Sequence, residues 1–168
     1  MNRTLAALLL PLVLAACGDI PDLIYNQQVS STFSQSREQF AKDHLSFLGG
    51  NFDIRSQSAR DLKLEQLRKH IEELELALDR VETLRHSDDA DRFSRHLSGY
   101  YELQVGYYQN LRRYMKASDK TKKEGIAQEL KASYVLLSAA PERILLSQKR
   151  FLEKAGLTPE ATTPDASS

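Results

Sequence analysis

The chain has 168 residues, enough for one domain with a hydrophobic core. Its 23 Lys and Arg residues balance 23 Asp and Glu residues, so no overall field favours nucleic acid and we expect no DNA or RNA partner. A single cysteine excludes an intrachain disulfide and a Cys-rich metal site.

The amino terminus has the organisation of a secretory signal. Arg3 precedes an apolar run over residues 5–16, which ends at Cys17. About twelve apolar residues are too few to cross a hydrocarbon core, which needs about 20 in a helix. The segment therefore predicts a cleaved leader rather than a transmembrane helix.

The end of this leader, Leu14-Ala15-Ala16-Cys17, resembles the lipobox of bacterial lipoproteins. The resemblance implies removal of residues 1–16, a thioether-linked diacylglycerol on Cys17 and acylation of the new amino terminus. It covers the leader only, and we expect no other cofactor. Acyl chains contribute about 0.8 kcal/mol per buried methylene, so several of them would anchor the protein to a bilayer. A free thiol that ends an ordinary signal peptide is the alternative.

The residue after the lipidated cysteine bears on which membrane holds the anchor. An Asp directly after Cys17 would resemble an inner-membrane retention signal, but this position is Gly18 and the Asp follows at Asp19. We therefore expect the outer membrane, with the protein facing the periplasm.

Residues 17–30 are expected to form a lipidated tether, and a first helix is predicted over residues 31–48. Phe33, Phe40 and Phe47 share one face of it, and Gly49 with Gly50 ends it. The second helix has the clearest pattern, because its apolar residues alternate steps of three and four. They are Leu64, Leu67, Ile71, Leu74, Leu78 and Val81.

The third helix contains the repeat GYYELQVGYY at residues 99–108. Tyr100 and Tyr107 continue a helical apolar stripe, and Tyr101 and Tyr108 widen it, so packing in a core is the first interpretation. The alternative is an aromatic surface for a peptide, a lipid or a sugar. Gly99 and Gly106 each cost about 1 kcal/mol relative to Ala inside a helix, which suggests close approach by another helix or a second protein.

A fourth helix is predicted from a capping box at Thr121 and Glu124 to a stop at Gly156. Pro141 lies inside its apolar pattern, so we expect a kink or a break there. The tail over residues 157–168 has no apolar face and is expected to be disordered. Together the patterns predict an all-α, up-and-down antiparallel bundle of three to four long helices over residues 31–156.

The turn between the third and fourth helices is basic. Arg112, Arg113, Lys116 and Lys120 carry most of this charge. In an up-and-down bundle the turn lies at the end far from the anchor. It is either a solvated turn that complements the C-terminus of the third helix or a contact for an acidic partner, the cell wall or the opposite membrane.

Catalytic and metal-binding patterns are not found. None of the four histidines follows the Glu-x-x-His spacing of di-iron bundles, and His86 with Asp88, Asp89 and Asp91 lacks the spacing of a calcium loop. No nucleophile elbow, phosphate loop or His-Glu-x-x-His motif occurs. We expect neither an enzyme nor a specific metal site.

The leading functional hypothesis is a membrane-anchored periplasmic lipoprotein that binds another envelope protein as an adaptor, assembly factor or complex subunit. A second hypothesis is a small-ligand carrier or sensor with a pocket lined by tyrosines, namely Tyr100, Tyr107, Tyr114 and Tyr134. A third is a lipoprotein immunity factor against a toxin. The sequence leaves the oligomeric state open, including a homo-oligomer.

Overall fold

The computed structural model describes residues 20–157. Their regular structure is helical throughout, and the four long helices are α1 (Ile20–Leu48), α2 (Gln57–Thr83), α3 (Asp91–Lys116) and α4 (Lys120–Lys154). A 3-10 turn over Asp88–Ala90 leads into α3. The predicted all-α class is confirmed. Within these residues no helix has the length and apolarity needed to cross a membrane.

The helix ends meet in two groups. At one end, the Asp22 carboxylate near the start of α1 accepts hydrogen bonds from the Ser87 backbone N–H at 2.8 Å and the Ser87 hydroxyl at 2.7 Å. Lys154 at the end of α4 pairs there with Asp89 at 2.6 Å. At the other end, Asp53 between α1 and α2 pairs with Lys123 at 2.7 Å. The basic turn therefore lies beside the α1–α2 connection, away from the first residues of α1.

Helix α1 begins at Ile20, so the segment predicted as a tether is helical from this residue onward. Tyr25 and Val29 are buried and lie four residues apart, and Phe33 continues the same spacing. The prediction placed the start near Ser31 because Pro21 and the polar residues around Asn26 are typical of a linker. Burial of Tyr25 against Phe93 and Phe151 stabilises the extra turns. Cys17 and the leader lie outside the described residues, as does the tail after residue 157.

The second and fourth helices show how far the sequence patterns hold. On α2 the seam residues Leu67, Ile71, Leu74 and Val81 are buried. On α4 the N-cap is Asp119, whose carboxylate accepts a hydrogen bond from the Lys122 N–H at 2.7 Å, so the predicted capping box at Thr121 is wrong. The helix then continues without a break through Pro141, and a kink at this position stays a prediction.

Candidate functional site

The first line of tyrosines on α3 packs against the phenylalanines of α1. Tyr100 meets Phe33, Tyr107 meets Phe40 and Tyr114 meets Phe47, with ring centroids 5.2, 4.9 and 5.3 Å apart and edge-to-face geometry each time. Both sets recur every seven residues, so each pair repeats the one before it. This aromatic ladder explains the first tyrosine of each doublet as part of the interior.

The second line of tyrosines is buried on the side of α3 that faces α1 and α2. The Tyr108 hydroxyl donates to Asp43 at 3.0 Å, and its ring meets His70 edge-on at 4.5 Å. Tyr101 is completely buried, and its hydroxyl has no partner among the described residues. Burial raises the pKa of Tyr101 to about 12, so the phenol stays protonated at neutral pH.

A histidine links the aromatic ladder to α4. His44 Nδ1 lies 3.0 Å from the Tyr107 hydroxyl, and the His44 ring stacks on Tyr134 with centroids 3.7 Å apart. Burial lowers the pKa of His44, because desolvation disfavours the imidazolium. The neutral ring therefore serves as a packed aromatic group with one hydrogen bond.

Four of the residues predicted to contact a partner are therefore inaccessible. Tyr100, Tyr101, Tyr107 and Tyr108 are at most 1% exposed, which rules out the predicted aromatic surface at these residues. The four tyrosines predicted to line one pocket do not share a cavity. Tyr107 and Tyr114 pack on α1, and of the four only Tyr100 borders the cavity of about 180 Å³ between α3 and α4.

Gly99 and Gly106 do not mark a close contact inside the described part of the chain. A methyl group added at either glycine would meet no neighbouring group within 4 Å. The intramolecular explanation for these glycines is therefore wrong. Contact with a second protein at this flank stays a prediction.

The basic residues at the turn are partly neutralised. Arg113 pairs with Glu129 at 3.1 Å, and Lys120 lies 3.8 Å from Glu124. The Nε atom of Arg112 is buried without a hydrogen-bond partner among the described residues, and Lys116 is exposed at the end of α3. These contacts favour a solvated turn over a concentrated patch of positive charge.

A groove between α1 and α2 has a volume of about 600 Å³, more than the cavity of about 180 Å³ between α3 and α4. We call it the α1–α2 groove. Its α1 wall is polar and consists of Thr32, Gln35, Ser36, Gln39 and Asp43. Four of these residues follow helical steps of four, three and four, the same pattern that locates apolar faces. The sequence therefore carried a signal for this wall, but a search for apolar stripes passes over it.

The α2 wall of the groove combines charge with apolar surface. Lys63, His70, Glu73 and Arg80 supply the ionisable groups, while Leu74 lies among the apolar ones. His70 Nδ1 lies 3.2 Å from the Glu73 carboxylate, and its Nε2 has no partner among the described residues. The groove can therefore offer hydrogen bonds, both signs of charge and a small apolar floor to one ligand.

Helix α4 also presents apolar side chains on the side opposite its buried residues. We call this the α4 outer face, which consists of Ala132, Val135, Leu136, Ala139 and Leu146. Val135 is 64% exposed and Leu146 is 49% exposed. A run of large apolar residues along one exposed helix is a recognised sign of an interaction surface.

The acidic cluster around His86 does not come together as a metal site. The His86 ring lies 3.8 Å from Asp91, whereas Asp89 is engaged by Lys154. Among residues 20–157 there is no group of three or more His, Cys, Asp or Glu side chains placed to hold a metal ion. In comparisons with known proteins, no family model, no curated protein and no solved structure matches this chain.

Proposed function

We propose that this chain is a lipid-anchored periplasmic protein that binds another envelope protein through the α4 outer face. Lipidation of Cys17 holds it on the outer membrane, and α1 to α4 form an up-and-down antiparallel bundle. The links at Asp22 and Asp53 support this arrangement, because each joins helix ends that it requires to be neighbours.

The observation that carries the proposal is the exposure of Val135, Leu136 and Leu146 along one helix. Burial of these side chains against a partner would favour binding by roughly 25 cal/mol for each Å² of apolar surface removed from water. Lys131, Arg143 and Arg150 are exposed on the same helix. Since acidic residues such as Glu142 are exposed there as well, we expect a partner that presents an amphipathic helix with charges of both signs beside its apolar stripe.

A photo-crosslinking residue at position 135, in the lipidated chain expressed in its envelope, tests this directly. A discrete crosslinked product is expected, and the added substitution Leu146→Lys should reduce it. The matched control is the same residue at position 62, because Leu62 is also 64% exposed but stands apart on α2. Equal crosslinking from both positions, or none from position 135, contradicts the proposal.

The anchor is tested separately. Labelled palmitate should be incorporated into the chain and lost in Cys17→Ser, and globomycin should block removal of the leader. Correct lipidation without any crosslink at position 135 would retain the membrane assignment and remove the binding face.

A further inference from the structure

We propose that the α1–α2 groove binds a short extended peptide that carries a carboxylate at the Arg80 end. This site is distinct from the α4 outer face, and neither depends on the other. A volume of about 600 Å³ lies within the usual range for small-molecule sites.

The first support is the positive end of the groove. Arg80 lines this end. Among the described residues, the ion pairs of α2 involve Arg68 and His70 and do not include Arg80. A guanidinium presents its donors in a planar fork that matches a carboxylate. Thr32 on the opposite wall donates its hydroxyl to the Gln28 carbonyl oxygen at 3.2 Å, and its oxygen can still accept a hydrogen bond.

The second support is a set of buried polar atoms behind the groove walls. The Tyr101 hydroxyl, Gln104 Oε1 and His70 Nε2 have no hydrogen-bond partner among the described residues. Burial raises the pKa of Tyr101, whereas the nearby Ser36 side chain and, to a smaller extent, the Arg80 guanidinium lower it. Gln104 donates to the Ser36 backbone oxygen at 3.2 Å. An unpaired buried atom is costly in a folded protein, and of these three residues His70 lines the groove.

The middle of the groove suits the main chain and amino end of a peptide. Gln35, Gln39 and Gln66 carry neutral amide groups that can both donate to and accept from peptide bonds. Glu73 lies one heptad before Arg80 on α2, about 10 Å away along the helix axis. An extended chain advances about 3.3 Å per residue, so three to four residues span this distance. Glu73 then faces the amino terminus.

The probe is tetra-alanine with free termini, titrated calorimetrically into the full lipidated chain in detergent micelles. We expect binding of the free acid and at least about tenfold weaker binding of the C-terminal amide, as loss of a charge-assisted hydrogen bond predicts. A third arm, Ala-Ala-Glu-Ala amide, distinguishes a side-chain carboxylate from the chain terminus. Restored binding in this arm would assign the site to acidic side chains.

The variant Arg80→Gln should remove the preference for acid over amide, so that both bind equally weakly. Arg68→Gln is the matched control, because Arg68 is also on α2 but outside the groove and should leave the preference unchanged. Circular dichroism would establish that both variants are folded. The proposal is overturned if neither free tetra-alanine nor Ala-Ala-Glu-Ala amide binds. It is also overturned if folded Arg80→Gln keeps the preference for acid over amide.

Discussion

Helix α1 has two neighbouring stripes with opposite outcomes. Phe33, Phe40 and Phe47 insert into an aromatic ladder with α3, whereas the stripe beside them, with Ser36 and Gln39, borders an open groove. The two stripes are about one residue position apart on the same helix, so their backbone conformation is the same. The buried stripe carries aromatic rings, and the open stripe carries polar side chains.

In the interior of this protein, large aromatic rings bridge α1 and α3. The phenylalanines of α1 reach the tyrosines of α3, whereas a groove lies between α1 and side chains of α2 such as Ala77. Removing one ring should therefore disturb more than one contact, since Phe40 meets both Tyr107 and Tyr134.

The substitution Phe40→Ala should have the largest effect. Phe40 is buried and touches both Tyr107 and Tyr134, so its removal should lower the free energy of unfolding by about 3–5 kcal/mol. Urea unfolding followed by circular dichroism would measure the loss. The control is Gln39→Ala on the groove stripe, which removes one hydrogen bond to Asp43 and should cost about 1 kcal/mol. Equal losses would mean that the two stripes contribute alike.

A smaller effect separates the two tyrosines of the second line. Tyr108→Phe removes a hydroxyl that donates to the Asp43 carboxylate and should cost about 1.5–3 kcal/mol. Tyr101→Phe removes a buried hydroxyl without a partner, so we expect no loss or a small gain in unfolding free energy. The same urea titration tests both. A loss for Tyr101→Phe equal to that for Tyr108→Phe would indicate a buried partner for Tyr101, such as water.

The helical class and most of the core were predictable, because Leu67, Ile71 and Leu74 repeat with a regular helical period and all are buried. The start of α1 was missed, since Tyr25 and Val29 lie among residues that favour linkers. Their burial depends on Phe93 and Phe151, which are far along the chain.

The candidate site was harder to predict than the fold. The tyrosine doublets are conspicuous in the sequence, but the structure buries their rings in the core. The groove instead uses Gln39, Glu73 and Arg80, residue types that also cover ordinary solvated helix faces. Only the distance between α1 and α2 turns them into a site, and no local pattern encodes that distance.

The pH dependence of stability tests the His44 contact in the ladder. Burial lowers the pKa of His44 in the folded state, so as the pH falls through about 6.5, the usual histidine pKa, the unfolded chain takes up more protons on this residue. The stability that the neutral His44 ring contributes is therefore present above about pH 6.5 and is lost as the pH falls toward the lowered pKa of the folded state. Thermal unfolding of the native chain should show this loss, and His44→Gln should reduce it. An unchanged profile in His44→Gln would assign the dependence elsewhere.

The smallest effect comes from the glycines beside the doublets, and it has the opposite sign. Gly99→Ala and Gly106→Ala should each raise the free energy of unfolding by about 0.5–1 kcal/mol, because the added methyl meets no neighbouring group and the unfolded chain loses freedom. Gly50→Ala is the control and should destabilise, since Gly50 has a φ of 75°. If the isolated chain gains stability while crosslinking from position 135 falls, the glycines serve a partner that approaches α3 and α4 together. Unchanged crosslinking would leave this flank of α3 without a role in binding.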